Sequence, residues 1–144
     1  MLKGIPSILP PELLKILMEM GHGDELVIGD GNFPAASMAQ RLVRCDGHNV
    51  PELLDAILKL FPLDSFVDAP VSLMQVVPGA NTPTPIWDVY KGIIKKYEPA
   101  NNKVQEVERF AFYEKAKTAY AIISTGEKAL YANIILKKGV VIEA

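Results

Sequence analysis

The chain is organised around GHGDELVIGDGNFP, residues 21–34, which is also the best place to look for chemistry. This stretch surrounds a short apolar run with four glycines, three acidic residues and one histidine, His22. Residues 25–29 predict a short buried strand, and Asp30 begins a turn at the carboxyl end of that strand, where open α/β sheets place ligand groups. The stretch therefore offers both a proton donor and an acceptor.

The segment before it, residues 10–20, predicts a helix. Prolines suit its first turn, Glu12 suits its N-terminal end, and Gly21 suits its C-terminal stop. His22 is then expected just past the helix end, where the partial negative charge of the helix dipole favours the imidazolium form needed by a general acid. The alternative is that a histidine between glycines belongs only to a helix-capping loop, followed by an ordinary tight turn.

Strand and helix patterns alternate in the middle of the chain. They predict strands at 41–45 and 71–77 and helices at 51–61 and 86–97, and Asn49 is placed to cap the first of these helices. The proline-rich stretch 78–85 predicts a loop, which is a candidate for a mobile rim or a subunit contact. This alternation is typical of an α/β protein.

The chain is predicted to end in a β-hairpin, because two β-rich runs, 119–124 and 129–136, flank Thr125 and Gly126. A hairpin is antiparallel, so the sheet should not be purely parallel. With 144 residues and 49% hydrophobic content, the chain is long enough for one full core and too short for two ordinary domains. We expect one α/β domain over residues 1–144, with a mixed central sheet between helices.

A second candidate binding block spans residues 108–114. If it begins a helix that runs to about residue 120, Arg109 and Tyr113 are four residues apart and share one face. Arginine offers several fixed donors and tyrosine one hydroxyl, which suits the oxygens of a carbohydrate. The alternative is an exposed arginine on an ordinary amphipathic helix.

Tyr131 and Asn133 form a third candidate pair. Within a strand through 130–134 they would point to the same face, because side chains alternate along a strand. An asparagine amide beside a tyrosine hydroxyl is a compact hydrogen-bonding pair, and a strand built only for packing rarely contains asparagine. Trp87, at the start of a predicted helix, is interpreted as a core or interface residue, with a platform for a sugar ring as the alternative.

Composition limits the classes of partner. The net charge is −2 with acidic and basic residues interleaved, and no basic stripe occurs, so nucleic acid is not an expected partner. No apolar run is long enough for a signal peptide or a membrane span, which favours a cytoplasmic protein without membrane contact. Cys45 is the single cysteine, so no internal disulfide can form, and no cysteine–histidine cluster has metal-ligand spacing. We expect no metal and no cofactor.

Several sequence blocks occur in a recognisable order: LKGIP (2–6), EMGHGDE (19–25), DGNFP (30–34), TPIW (84–87), ERFAFYE (108–114) and LYANIILKKG (130–139). With these blocks the chain resembles the fucose branch of the fucose mutarotase and D-ribose pyranase family over nearly its whole length. Arg109 favours fucose, because ribose pyranases have a histidine in the corresponding region. Ala132 stands where the family motif usually has glycine, and its methyl group makes a close main-chain contact there less favourable.

The resemblance implies an isomerase that interconverts the α and β anomers of L-fucopyranose. It implies that His22 donates a proton to the ring oxygen, that Tyr131 assists at the anomeric hydroxyl, and that other polar side chains hold the remaining hydroxyls: Asp30, Arg109, Tyr113 and Asn133. It also implies that Asp64 and Met74 lie near the sugar.

The resemblance further implies a homo-oligomer, often a decameric ring in this family, with sites close to subunit boundaries. Two alternatives stay open at this point. One is a mutarotase or pyranase for ribose, galactose or another monosaccharide. The other is a noncatalytic sugar-binding module, because the same polar groups bind sugars without transferring protons.

Overall fold

The computed structural model describes residues 1–143, which form a six-stranded sheet and five helices. The helices are α1 (Pro11–Glu19), α2 (Ala35–Met38), α3 (Val50–Leu58), α4 (Ile86–Tyr97) and α5 (Arg109–Thr118). The strands are β1 (Glu25–Gly29), β2 (Leu42–Cys45), β3 (Val71–Met74), β4 (Val104–Val107), β5 (Ala121–Thr125) and β6 (Ile134–Lys137). Within the described residues, no helix is long and apolar enough to cross a bilayer.

The sheet is mixed, with the strand order β2-β5-β1-β6-β3-β4. β1, β2 and β5 pair in parallel, as do β3 and β4, whereas β6 is antiparallel to both β1 and β3. The predicted α/β class with a mixed sheet is confirmed. Every strand except β6 therefore ends on the same side of the sheet. The side where these strands end is called the carboxyl edge below, and the side where they begin is called the amino edge.

Helices cover both faces of the sheet, because successive residues of a strand point to opposite faces. Leu26 and Ile28 of β1 belong to a core that includes residues of α1, α3 and α4. Val27, between them, belongs to a second core with residues of α2 and α5. β1 is thus buried on both faces, which explains why its sequence is an uninterrupted apolar run.

Local sequence signals place several elements where they were predicted. β1 and α4 have the predicted bounds, 25–29 and 86–97. Asn49 caps α3: its Oδ1 accepts a hydrogen bond from the Glu52 N–H at 3.0 Å, and the Glu52 carboxylate accepts one from the Asn49 N–H at 2.9 Å. These signals act over three or four residues, so tertiary contacts do not override them here.

The predicted terminal hairpin is wrong. β5 pairs with β1 and β2, and β6 pairs with β1 and β3, so that β1 lies between the two strands expected to pair. All five residues of β5 are buried, and a strand buried on both faces is best satisfied by hydrogen-bonded neighbours on both edges. β4, which has two exposed residues in its centre and no apolar alternation, was not predicted at all.

Candidate functional site

A cleft of about 390 Å³ lies at the carboxyl edge of the sheet. It lies where β1 and β3 end, where the chain approaches β6, and beside the first two turns of α5. Its volume is within the range of small-molecule sites. Charged, amide, hydroxyl and apolar side chains share its wall: Asp30, Asn32, Phe33, Met74, Val77, Thr82, Arg109, Tyr113, Leu130, Tyr131 and Asn133.

Asp30 is the acidic group of this cleft and is buried. Its Oδ1 accepts a hydrogen bond from the Asn32 N–H at 3.0 Å, and its Oδ2 accepts one from the Ala132 N–H at 3.4 Å. Burial raises the pKa of the Asp30 carboxyl above its usual value, against the lowering effect of these two backbone donors. Each oxygen of a carboxylate can accept more than one hydrogen bond, so both can still receive a ligand hydroxyl.

Arg109 and Tyr113 both line the cleft from the first two turns of α5. The Arg109 guanidinium carbon lies 4.6 Å from the centre of the Phe110 ring, which supports the long side chain by a cation–π contact. The ring of Tyr113 packs 5.9 Å from that of Phe33, centre to centre. The two side chains therefore present donors to the cleft from a wall stiffened by aromatic packing.

Tyr131 and Asn133 also line the cleft, but the predicted strand geometry is wrong, because β6 begins only at Ile134. Tyr131 instead has a left-handed backbone, with φ 52°. Its hydroxyl accepts a hydrogen bond from the Val77 N–H at 3.3 Å. Asn133 Oδ1 accepts one from the Asp30 N–H at 2.7 Å, which links the end of β1 to the start of β6.

The methyl group of Ala132 is fully buried in the larger core. The Ala132 N–H donates to Asp30, and its carbonyl accepts a hydrogen bond from the Tyr90 hydroxyl at 2.7 Å. The main chain at 132 therefore bonds to two groups of the protein, and the predicted effect of the methyl group on the site stays a prediction.

His22 and Asp64 form a separate pair at the amino edge. His22 Nε2 lies 2.9 Å from Asp64 Oδ1, and the His22 ring packs against the exposed ring of Phe66. Burial by itself would raise the pKa of the Asp64 carboxyl. Hydrogen bonds from the Phe66 N–H and the His22 ring, with the positive charges of His22 and Lys137, outweigh it and hold that pKa below its usual value.

The carbonyl groups at the end of α1 have a hydrogen-bond partner other than His22. The Lys138 ammonium donates hydrogen bonds to the Leu17 and Met20 carbonyls and so compensates the negative end of the helix. The predicted influence of the helix end on His22 stays a prediction. The group in direct contact with the His22 ring is Asp64, a buried carboxylate whose Oδ1 lies 2.9 Å from His22 Nε2.

Within one chain, the structure does not bring His22 and Asp64 to the cleft. His22 precedes β1 and Asp30 follows it, and the five residues of that strand extend over roughly 13 Å at 3.3 Å per residue. The six candidates that do come together are Asp30, Met74, Arg109, Tyr113, Tyr131 and Asn133.

Sequence reasoning missed several residues of the cleft. Phe33 lies within the opening stretch and Thr82 within the proline-rich loop, so both were near recognised signals. Trp87 packs against the larger core, in agreement with its interpretation as a core residue, but its hydrogen bond was missed: Nε1–H donates to the Tyr131 carbonyl at 2.8 Å. Only the fold places Trp87 beside residue 131.

A larger cavity of about 600 Å³ lies under the N-terminal segment, but most of its lining side chains are apolar. Its charged groups are engaged elsewhere: Arg44 pairs with Asp46, and His48 pairs with Glu52. Within residues 1–143, no group of three or more histidine, cysteine, aspartate or glutamate residues could hold a metal ion. The cleft at the carboxyl edge is therefore the stronger candidate.

The fold and the cleft define a class: an α/β protein that presents charged, amide and hydroxyl groups beside apolar side chains at strand ends, as a site for a small polyhydroxylated molecule requires. The model of the RbsD / FucU transport protein family matches residues 3–141, and this chain belongs to that family.

The sequence similarity to known proteins extends over almost the entire length of this chain. An L-fucose mutarotase of Actinobacillus pleuropneumoniae is 53% identical over 140 residues, which are 97% of each chain. A human fucose mutarotase is 48% identical over 145 residues, covering 96% of this chain and 94% of the relative. The crystal structure of the fucose mutarotase from Streptococcus pneumoniae in complex with L-fucose has a TM-score of 0.93 and 55% identity, covering 98% of this chain and 100% of that one.

Proposed function

We propose that this protein is an L-fucose mutarotase, an isomerase that interconverts the α and β anomers of L-fucopyranose. The observation that carries the proposal is the likeness to the fucose mutarotase solved with L-fucose, at 55% identity over 98% of the chain. The cleft agrees with it, since its mixture of donors, acceptors and apolar side chains suits a deoxy sugar.

Mutarotation moves two protons and leaves no net change. One proton leaves the anomeric hydroxyl, another reaches the ring oxygen, the ring opens to an aldehyde, and closure occurs on the other face of the rotated aldehyde. Tyr131 assists at the anomeric hydroxyl in our proposal, and His22 donates to the ring oxygen. General acid–base help of this kind contributes typically about 10²–10⁴-fold.

The remaining side chains of the cleft bind the sugar. Asp30 accepts hydrogen bonds from sugar hydroxyls, whereas Arg109 donates them and Tyr113 and Asn133 can do both. Met74 offers an apolar surface to the methyl group at carbon 6. Asp64 acts through His22, whose ring it orients by the hydrogen bond to Nε2.

We further propose that the working form is a homo-oligomer, a decameric ring by the family resemblance, in which His22 and Asp64 of one copy approach the cleft of another. Two exposed apolar residues support this arrangement: Phe66 beside His22 at the amino edge, 77% exposed, and Leu130 at the cleft, 56% exposed. A contact between the two edges would remove both side chains from water, which is favourable for apolar surface. A head-to-tail contact between such unlike edges closes into a ring if the rotation between copies allows it.

Saturation-transfer NMR on the anomeric protons tests the proposed activity. The protein is added to L-fucose, L-galactose and D-ribose, and anomer exchange is measured against protein-free sugar. We expect exchange to increase with L-fucose. Sugar binding without faster exchange would indicate a noncatalytic binding module instead.

Sugar preference is a separate prediction. L-Galactose differs from L-fucose by a hydroxyl at carbon 6, and an apolar pocket rejects an added hydroxyl only modestly, by about 10²-fold at most. We therefore expect L-fucose to exchange fastest and L-galactose more slowly, and Arg109→Ala to slow both, with Arg44→Ala as the control outside the cleft. Faster exchange of ribose than of fucose would contradict the assignment to fucose.

A further inference from the structure

Tyr131 has an unusual backbone. It is the one non-glycine residue with positive φ, 52°, among residues 1–143. This left-handed conformation is unfavourable for a bulky side chain, and it persists only where the surrounding structure holds it. Something in the fold must therefore hold residue 131 in place.

Helix α4 supplies two hydrogen-bond donors to this segment. Trp87 Nε1–H donates to the Tyr131 carbonyl at 2.8 Å, and the Tyr90 hydroxyl donates to the next carbonyl, that of Ala132, at 2.7 Å. Trp87 and Tyr90 are three residues apart and so project from the same face of the helix. One helix face thus holds two consecutive peptide groups.

The first of these peptide groups and the side chains next to it are also bonded to other parts of the site. The Ala132 N–H donates to Asp30 Oδ2, and the Asp30 N–H donates to the Asn133 side chain. The Val77 N–H donates to the Tyr131 hydroxyl at 3.3 Å. A change in the backbone at 131–132 would therefore move three side chains that line the cleft, Asp30, Tyr131 and Asn133.

Trp87 and Tyr90 do not line the cleft themselves. Tyr90 is completely buried, and burial, with smaller contributions from the charges of Glu127 and Asp30, raises the pKa of its hydroxyl, which therefore remains a proton donor. Packing against the core explains why Tyr90 is buried and Trp87 is partly buried. It does not explain why both polar atoms are aimed at adjacent carbonyls beside a left-handed residue.

We infer that Trp87 and Tyr90 are positioning residues, which hold the backbone of Tyr131 and Ala132 so that Tyr131 and Asn133 face the sugar. The inference rests on the proposed function of the cleft. It assigns both aromatic residues an effect on catalysis without contact with the substrate.

Trp87→Phe and Tyr90→Phe test this inference, because each keeps an aromatic ring and removes one donor. Tyr97→Phe is the matched control: it lies on the same helix, and its hydroxyl bonds to Asp55, away from the cleft. We expect kcat for L-fucose to fall roughly tenfold in each of the two variants, with a smaller change in KM, because a misplaced catalytic group weakens the chemical step. Deuterium uptake of the peptide that contains 130–133 should rise in both, and Tyr97→Phe should change neither quantity.

The outcomes are separable. Folded variants that keep wild-type kcat, or whose 130–133 peptide shows wild-type deuterium uptake, overturn the inference, as does an equal loss of kcat in Tyr97→Phe. If one of the two variants fails to fold, the kinetics and deuterium uptake of the other test the inference. If the wild-type protein does not accelerate anomer exchange, the proposed function fails, and deuterium uptake still decides whether α4 holds this backbone.

Discussion

His22 depends on one buried carboxylate for its orientation. Asp64 Oδ1 is shared between the His22 ring, at 2.9 Å, and the Phe66 N–H, at 3.0 Å, so the carboxylate cannot rotate without losing both. The imidazole itself is half-exposed, with 44% of its side-chain surface open to solvent. A histidine held firmly on one nitrogen and open on its other side is suited to exchange a proton with a ligand or solvent.

The first prediction concerns this residue. His22→Ala should slow L-fucose anomer exchange by roughly 10²-fold or more, the usual scale for loss of a positioned acid, while the fold is kept. His48→Ala is the matched control, because His48 also contacts a carboxylate, that of Glu52, on the surface. Unchanged exchange in folded His22→Ala would remove His22 from the mechanism.

The second prediction uses the lowered pKa of Asp64. Because its folded-state pKa is below the unfolded value of about 3.8, the folded protein binds the proton less readily than the unfolded chain does. The resulting stability is fully present above that value and is lost as pH falls through the folded-state pKa. The free energy of unfolding of the wild type relative to Asp64→Asn should therefore stay level at higher pH and decrease as the pH falls below about 4, measured by urea titration. An increase toward acid pH would contradict it.

Among the elements, the loop between β5 and β6 organises the cleft. The Gly31 N–H donates to the Glu127 carbonyl at 2.8 Å, and the Glu127 side chain accepts hydrogen bonds from the Val50 and Ala129 N–H groups. The turn after β1 is thereby joined to the start of α3 and to the approach to β6. The position of Asp30 depends on this junction as well as on β1.

The third prediction tests that junction. A Cβ at Gly31 would lie 2.9 Å from the Glu127 carbonyl oxygen, a backbone atom that cannot yield without moving the loop. We expect Gly31→Ala to reduce kcat/KM for L-fucose roughly tenfold by displacing Asp30. Gly47→Ala is the control, since a Cβ there meets nothing within 4 Å. Equal kinetics in the two variants would show that the turn adapts without cost.

For the molecule as a whole, the important property is the separation of its polar groups. The cleft is at the carboxyl edge, and the His22–Asp64 pair is at the amino edge. The two edges of one sheet cannot close on each other, because the six hydrogen-bonded strands between them hold the edges apart. If both sets of groups act on one sugar, they must come from different copies.

The fourth prediction follows from that requirement. Two variants, His22→Ala and Arg109→Ala, should each be slow alone. When they are co-expressed or refolded together, a cleft from the His22→Ala copy can meet His22 of an Arg109→Ala copy. Random mixing in a head-to-tail ring would restore roughly a quarter of the sites, measured as anomer exchange per chain. No recovery in assemblies proven to be mixed would show that each site is built from one copy.

The sequence alone determined the features that depend on a few neighbouring residues. The apolar run of β1, the Asn49 cap and the periodicity of α4 were each sufficient to predict the element in which they occur. Hydrophobic burial and backbone capping are decided within three or four positions. The family was also evident from separate motifs in order, and the fold class and family are confirmed.

Only the tertiary structure decided which polar groups meet. Tyr131 and Asn133 line the cleft by a left-handed turn rather than by strand alternation, and Asp30 bonds to a side chain 103 residues away. His22 pairs with Asp64 across 42 residues and away from the cleft. Such pairs depend on the order of the strands in the sheet. β1 lies between β5 and β6 because each buried strand needs hydrogen-bonded neighbours on both sides. This requirement belongs to the whole sheet, and no local sequence pattern contains it.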